Sequence, residues 1–599
     1  MTKLGTPSAT ASRGGVEEVV ELTATRLELS RARILARAWA AAFPETRRTD
    51  LAALFARHAI ERLSVKIAPN HLLSRPVAVP FGRLDTAAQR LAESIGDEAS
   101  RLPIIEALHF VTSLYPVLLT AKDRSALGAF YTPPVLCSRL LDQAGEAGLS
   151  WNTVRILDPA AGGGAFLIHS ALRMREAMAG VDPNFVLSQI GSRLLGLELD
   201  PHAAGLAQAA LEIVLADLAT AVGRPVPRMV RCCDTLDEAP EANFDLVVGN
   251  PPYGRVTLTG EQRGRYARSL YGHANLYGVF TDIALRWAKP GGLVAYLTPA
   301  SFLAGQYYAS LRALLAREAP PIAMDFVHAR RGVFEDVLQE TMLAVYRVGG
   351  DLRRVQIHYL HVDSEREARV TRNGMVGLPA GPYSPWLAPR EPAHGHLIAR
   401  AETMAARLAD WGYSVSTGPL VWNRFKTQLR PKAGGRRVHP LIWAEAVTSD
   451  GRFVFRAQKK NHAPYFKLEP GDDWLLVEQP CVLVQRTTAK EQARRLIAAE
   501  MPGSFVVEHG GVVVENHLNM VRPNGHPKVS AAVVAALLNS RVVDDLFRCM
   551  SGSVAVSAFE LCSLPLPDVE ALTLLVRLVQ QGASRERIDA ECARLYGEE

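Results

Sequence analysis

Six short β-branched runs punctuate residues 151–350, at 154–157, 194–198, 244–248, 293–298, 323–327 and 341–346. Ala- and Leu-rich stretches of helical period separate them, and this alternation predicts an open, doubly wound α/β sheet. Ligands of such sheets bind beyond the carboxyl ends of the strands, so the residues that close each run are the places to look for chemistry. Upstream, residues 20–120 read as helical. Leu27, Ile34, Leu35, Ala38 and Ala42 recur at helical spacing, and Asp50 can cap a second helix carrying Leu51, Leu54, Phe55 and Leu63. Beyond residue 400 short strands and turns replace the regular alternation, which predicts a mixed α+β region. The expected organisation is a helical region at 1–120, an α/β domain at 121–350, a linker at 351–395 and a further domain at 396–599.

The first run leads into Ile156-Leu157-Asp158-Pro159-Ala160-Ala161-Gly162-Gly163-Gly164-Ala165-Phe166, a strand, a tight turn and a helix start. Glycines at such a turn let the backbone adopt positive φ and approach a ligand closely. Asp158 is out of place in a phosphate-cradling loop, and the dinucleotide fingerprint fails because its third glycine falls at Leu167. A carboxylate there suits an amino group or hydroxyls. The second run ends at Glu198, where an acid can hold both hydroxyls of a ribose. The third candidate strand ends at Asp234, which could accept from an adenine amine. Each acid alone reads equally well as a helix cap or a solvated carboxylate. Three in register point to an adenosine ligand without phosphates.

The run at 244–248 ends in Asn250-Pro251-Pro252-Tyr253-Gly254. Two prolines in a row stop the strand and pin the turn. Such a turn presents the Asn250 amide oxygen and the Pro251 carbonyl as neighbouring acceptors for the two hydrogens of one exocyclic amine. Tyr253 offers a ring to stack on the planar system carrying that amine.

In these residues the chain resembles the class I S-adenosylmethionine-dependent DNA adenine-N6 methyltransferases, gamma-class (TaqI-like), of restriction-modification type. The resemblance runs from about 125 to 350 and begins with Leu127-Gly128-Ala129-Phe130-Tyr131-Thr132-Pro133-Pro134. It implies a Rossmann-like methyltransferase domain. Thr132 with Asp158, Ala160, Gly162 and Gly164 would hold the methionine moiety of the cofactor, Glu198 its ribose and Asp234 its adenine, beside Asn250. Asn250, Pro251, Pro252 and Tyr253 would bind the target amine. Phe334, in Arg331-Gly332-Val333-Phe334, matches the aromatic that faces the target base opposite the tyrosine. The amine's lone pair is delocalised into the ring, so catalysis would come from positioning and from acceptors that localise charge on that nitrogen. An amine inside a duplex is reached only by flipping the base out.

Residues 421–460 hold ten Lys and Arg against two acids, a local charge of +8 in a chain of net +6. A solvated basic face is the ordinary reading of such a run, but next to a base-modifying domain phosphate contacts are the better one, through Arg424, Lys426, Arg430, Arg436, Arg437, Lys459 and Lys460. Trp422-Asn423-Arg424-Phe425-Lys426, Gln485-Arg486-Thr487-Thr488-Ala489-Lys490-Glu491-Gln492 and Ser551-Gly552-Ser553-Val554 are similar to stretches of the family's target-recognition region. The partners expected are double-stranded DNA and a separately encoded restriction endonuclease, with no membrane and no metal. Residues 290–311 carry no charge over 22 positions, but Gly291, Gly292, Pro299 and Gln306 make them a buried strand leading into a helix rather than a span. Seven cysteines without a C-x-x-C pair give no disulfide framework, and the reducing cytoplasm is the expected compartment. The first 120 residues lack the Glu-x-Lys or Asp-x-Lys pair of common nucleases. Three alternatives stay open: a cytosine-N4 methyltransferase, an RNA amino-methyltransferase, and a DNA-binding subunit with an inactive cofactor site.

Overall fold

A computed structural model describes residues 2–4, 13–76, 78–128, 132–329, 340–351, 354–364, 366–379, 381, 383–488, 493–550 and 555–598. Phe334 therefore lies outside the described residues, as do parts of the motifs at 127–134 and 485–492 and the whole of 551–554. Two compact units are present. The first comprises Met1–Thr298, Ala313–Asp336 and Thr341–Gly374; the second comprises Pro299–Arg312, Val337–Glu340 and Met375–Glu599.

In the first unit ten strands among the described residues share one sheet: β1 (Thr2–Leu4), β2 (Ile156–Asp158), β3 (Leu194–Glu198), β4 (Val230–Cys232), β5 (Phe244–Gly249), β6 (Ala288–Pro299), β7 (Pro321–Ala329), β8 (Thr341–Arg347), β9 (Arg354–Val362) and β10 (Ala368–Gly377). Their order across the sheet is β4-β3-β2-β5-β6-β8-β7-β9-β10-β1. Strand β2 is parallel to both neighbours, with Ile156 beside Leu194 of β3 and beside Leu246 of β5. The chain runs outward from β2 through β3 to β4 and returns on the other side as β5. Such a reversal of strand order leaves a crevice at the carboxyl ends of β2 and β5. Both strands are buried along almost their whole length, as parallel strands covered on two faces must be. Strand β8 turns back antiparallel to β7.

All six β-branched runs are strands, and the uncharged run at 290–311 contains most of β6 followed by short 3-10 turns and the helix Ala309–Glu318. Part of the expected linker is not one. Residues 354–377 form β9 and β10, where Val355, Ile357, Tyr359, Leu360 and Val362 are buried against the sheet. Flanking Gly and Pro masked two strands whose alternation is imperfect.

The helical region supplies α1 (Arg13–Ala41), α2 (Glu45–Ile67), α3 (Thr86–Ala99), α4 (Ile104–Leu118) and α5 (Ala121–Leu127); α6 (Pro134–Glu146), α7 (Ala165–Ala177), α8 (Pro183–Arg193) and α9 (Pro201–Val214) cover the sheet. The helices lie where the apolar spacing predicts them, and one expected cap is absent. Leu27, Ile34 and Leu35 are 53, 66 and 59 % exposed, while Leu29, Ala36 and Ala40 are buried. Small side chains on that second face let α1 approach α3 and α4, and Arg26 of α1 forms a two-pronged ion pair with Glu106 of α4. Asp50 does not cap α2, which begins at Glu45; its carboxylate accepts from the Phe81 amide instead. Leu51, Phe55 and Leu63 are buried as expected.

The second unit is mixed α+β. One four-stranded sheet joins Tyr413–Thr417, Leu518–Pro523, Cys481–Gln485 and Ala498–Met501; a five-stranded sheet includes Val438–Ile442 and Val512–Val514; helices close the chain. The Arg312 guanidinium, fully buried, donates to the carbonyls of Phe302, Gly305, Tyr383 and Ser384 and fixes Pro299–Arg312 within this unit. Burial pulls its pKa down to about 10. Among the described residues no single helix is long and apolar enough to cross a membrane, and no cluster of His, Cys, Asp or Glu could hold a metal ion.

Candidate active site

A cavity of about 310 Å³ opens at the carboxyl ends of β2, β3 and β5. It brings together Thr132, Asp158, Ala160, Gly162, Glu198, Asp234, Asn250, Pro252 and Tyr253, residues spread over more than a hundred positions of sequence. That volume falls in the range of small-ligand pockets. Two residues of the expected set do not line it. Gly164 opens α7 at φ +84 and packs on Ala207, where a Cβ would come within 3.0 Å. Pro251, the second residue of the tetrad, is buried.

Asp158 is fully buried at the end of β2. Its Oδ1 accepts from the Ala160 amide at 3.1 Å, and its Oδ2 has no hydrogen-bond partner. Burial drives the carboxyl up to about 8, opposed by the Ala160 amide and helped by the Glu198 charge. Glu198 closes β3, accepting from the Gly162 amide at 2.7 Å and the Asp200 amide at 2.9 Å. Burial raises its pKa, and the Asp200 and Gly162 amides oppose that rise. Asp234, two residues beyond β4, is half-buried and accepts from the Leu236 amide.

The tetrad stands at the end of β5. Asn250 donates from Nδ2 to Thr132 Oγ1 at 3.1 Å, which orients its amide oxygen. Tyr253 donates its hydroxyl to Asn250 Oδ1 at 2.8 Å, with the Leu297 carbonyl 3.1 Å away. Behind it Tyr277 meets the ring edge-on, centroids 6.5 Å apart. Gly128 ends α5 at φ +61, and a Cβ there would lie 2.9 Å from Pro252 Cβ.

Sequence reasoning missed one wall of the cavity. His109, Thr112, Ser113, Tyr115 and Pro116 of α4 line it, together with Asp200. The helix cap at Asp200-Pro201 was legible, since Asp200 accepts from the His202 amide at 2.9 Å. Nothing in the sequence around Tyr115 marks it out.

In the second unit the basic residues divide. Arg424, Lys426, Arg436, Lys459 and Lys460 are exposed, with the Lys426 ammonium 5.8 Å from the centroid of the Trp422 ring. Arg430 folds back onto the carbonyls of Thr427 and Leu429, and Arg437 pairs with Asp473 at 2.5 Å. Trp443 and His462 stack 3.7 Å apart, and Phe453 and Phe455 pack on Phe505, so these aromatics build cores.

Residues 230–333, which span the tetrad, match the Eco57I restriction-modification methylase family. The chain is 27 % identical over 341 residues to the type II methyltransferase M.BsuBI of Bacillus subtilis, covering 56 % of this chain and 68 % of that protein. It is also 27 % identical over 353 residues to the type II methyltransferase M.PstI of Providencia stuartii, covering 57 % and 68 %. The chain is similar to DNA methyltransferases of the restriction-modification type. A solved structure of the type IIL restriction-modification enzyme MmeI in complex with DNA shares its fold, with a TM-score of 0.50 at 14 % identity over 91 % of this chain and 88 % of that one.

The cavity fits S-adenosylmethionine, the cofactor that the sequence resemblance implies. Among the described residues the lining holds Asp158, Glu198, Asp200 and Asp234 and neither lysine nor arginine, which suits a cationic ligand without phosphates. The unpartnered Asp158 Oδ2 calls for a donor, and the amino group of a methionine moiety is one.

Proposed function

We propose that this chain methylates the N6 amino group of adenine at a specific site in double-stranded DNA, as the modification component of a restriction-modification system in the cytoplasm. S-adenosylmethionine, when bound, supplies an electrophilic methyl group on its sulfonium. Thr132 with the 158–162 turn would hold its methionine moiety, Glu198 its ribose and Asp234 its adenine. The observation that carries the reading is the fixed Asn250 amide: Thr132 takes one of its hydrogens, so Oδ1 is turned to accept.

An amide oxygen has two lone pairs. Tyr253 occupies one, leaving the other for a substrate N–H, with the Pro251 carbonyl as the second acceptor. Two acceptors on one amine favour charge on its nitrogen and fix its direction. A base that reaches them must leave the helix stack, and the Tyr253 ring would be one wall of its pocket, with Phe334 opposite. Residues 396–599 would read the DNA, the exposed Arg424, Lys426, Arg436, Lys459 and Lys460 contacting phosphates.

The test is expression in a methylation-free host, followed by nucleoside mass spectrometry and modification-sensitive sequencing, with Asn250→Ala alongside. N6-methyladenine at one short motif, absent from the variant, is the expected outcome. N4-methylcytosine, or an unmodified genome from a protein that still binds the cofactor, would overturn it.

A further inference from the structure

We propose that Tyr115, in the N-terminal helical region, is a positioning residue of the cofactor site that acts through Asp200 on Glu198. The proposal rests on the reading that Glu198 holds the cofactor's ribose. Tyr115 donates its hydroxyl to Asp200 Oδ2 at 2.6 Å across 85 residues of sequence, and both side chains are buried. Asp200 Oδ1 meanwhile caps α9 through the His202 amide. With both carboxylate oxygens held, the Asp200 main chain is fixed, and its amide is one of the two donors that orient the Glu198 carboxylate. Remove the hydroxyl and Oδ2 is left buried without a donor, a state that costs more than an ordinary hydrogen bond contributes. Burial and the Asp200 charge hold the Tyr115 phenol well above its usual range, so it stays a donor at any working pH.

A second contact puts the same helix face on the site. Thr112 precedes Tyr115 by one turn, and a Cβ on Gly163 would come 3.1 Å from Thr112 Cβ. His109, Thr112 and Pro116 recur at helical spacing along the cavity, so α4 is a wall of the cofactor site rather than a separate pre-domain.

The experiment compares full-length Tyr115→Phe with the unaltered chain by calorimetric binding of S-adenosylmethionine and of 5′-methylthioadenosine, which keeps the nucleoside and lacks the amino acid. Both ligands are expected to bind about tenfold more weakly, with a fall in Tm of a few degrees from the unpaired Asp200 oxygen and cofactor-free DNA affinity unchanged. Asp200→Asn keeps a competent helix cap. It should weaken both ligands similarly, and the double variant should be no weaker than the singles. A Tyr115→Phe variant that binds both ligands as the unaltered chain does, while Glu198→Ala has lost them, overturns the role of Tyr115. Binding that survives Glu198→Ala overturns the reading of Glu198 itself. A loss of cofactor-free DNA affinity in step with the ligands would assign Tyr115 a general structural role and overturn the proposal.

Discussion

The hydroxyl of Tyr253 is hydrogen-bonded to Oδ1 of Asn250 at 2.8 Å, so the two ends of the Asn-Pro-Pro-Tyr turn are tied to each other. The same residue that offers a stacking ring also helps fix the amide oxygen beside it. These two contributions are separable by substitution.

Tyr253→Phe keeps the ring and removes the tie. One neutral hydrogen bond contributes about 0.5–1.5 kcal/mol, so single-turnover methyl transfer should slow by roughly two- to tenfold. Tyr253→Ala also removes stacking, which is worth about 1–3 kcal/mol per base. It should lower 2-aminopurine fluorescence at the target position, the signal of an extruded base, where the Phe variant does not. Equal effects from the two variants would mean that the ring is not a wall of the base pocket.

Asp158 should make the cofactor's effect pH-dependent. With its folded-state pKa near 8 and an ordinary one when unfolded, the native chain holds the extra proton between those values. Its contribution to stability is therefore full below the unfolded pKa and is lost as pH rises towards about 8. A cationic amino group at Oδ2 favours the ionised form instead. S-adenosylmethionine should raise Tm more at about pH 7.5 than at about pH 6, read by scanning fluorimetry. Asp158→Asn should flatten the dependence of the ligand-free Tm and shrink the cofactor shift at both values.

Gly128→Ala combines two penalties, a left-handed backbone at φ +61 and a Cβ 2.9 Å from Pro252. The backbone term alone is about 1–2 kcal/mol. Gly223→Ala has the first penalty only, since φ is +69 and nothing lies within 4 Å. Both variants should melt lower, and Gly128→Ala alone should also lose turnover, because the displaced atom belongs to the tetrad.

The exposed cations should show in the salt dependence of DNA binding. Removing one phosphate-binding cation lowers the slope of log K against log salt by about 0.9. Lys426→Ala, Lys459→Ala and Lys460→Ala should each reduce the slope, whereas Arg437→Ala, whose guanidinium is engaged by Asp473, should leave it unchanged. Filter binding at several salt concentrations measures this directly.

The six strands of the α/β domain were legible because each is a short β-branched run with turn residues at its end, and strand formation there is a local property. Strands β9 and β10 were not, since their burial comes from neighbours and their flanks look like linker. The α1 helix shows the same limit. Helical period is visible in Leu27, Ile34 and Leu35, but so is a second apolar face, and only packing against α3 and α4 chose the face with Leu29, Ala36 and Ala40.

The groups at the strand ends are written in the chain itself: the Asp158 turn, Glu198, Asp234 and the tetrad at Asn250. Each is marked by its own neighbours, a glycine run, an Asp-Pro cap or a double proline. Which of them meet is a matter of packing. The pairing of β2 with both β3 and β5 sets the glycine turn beside the tetrad. The docking of α4 and α5 brings Tyr115 to Asp200 and Gly128 to Pro252. Those contacts join residues 85 and more than a hundred positions apart, and no local pattern records them, because they arise from burial summed over the whole unit.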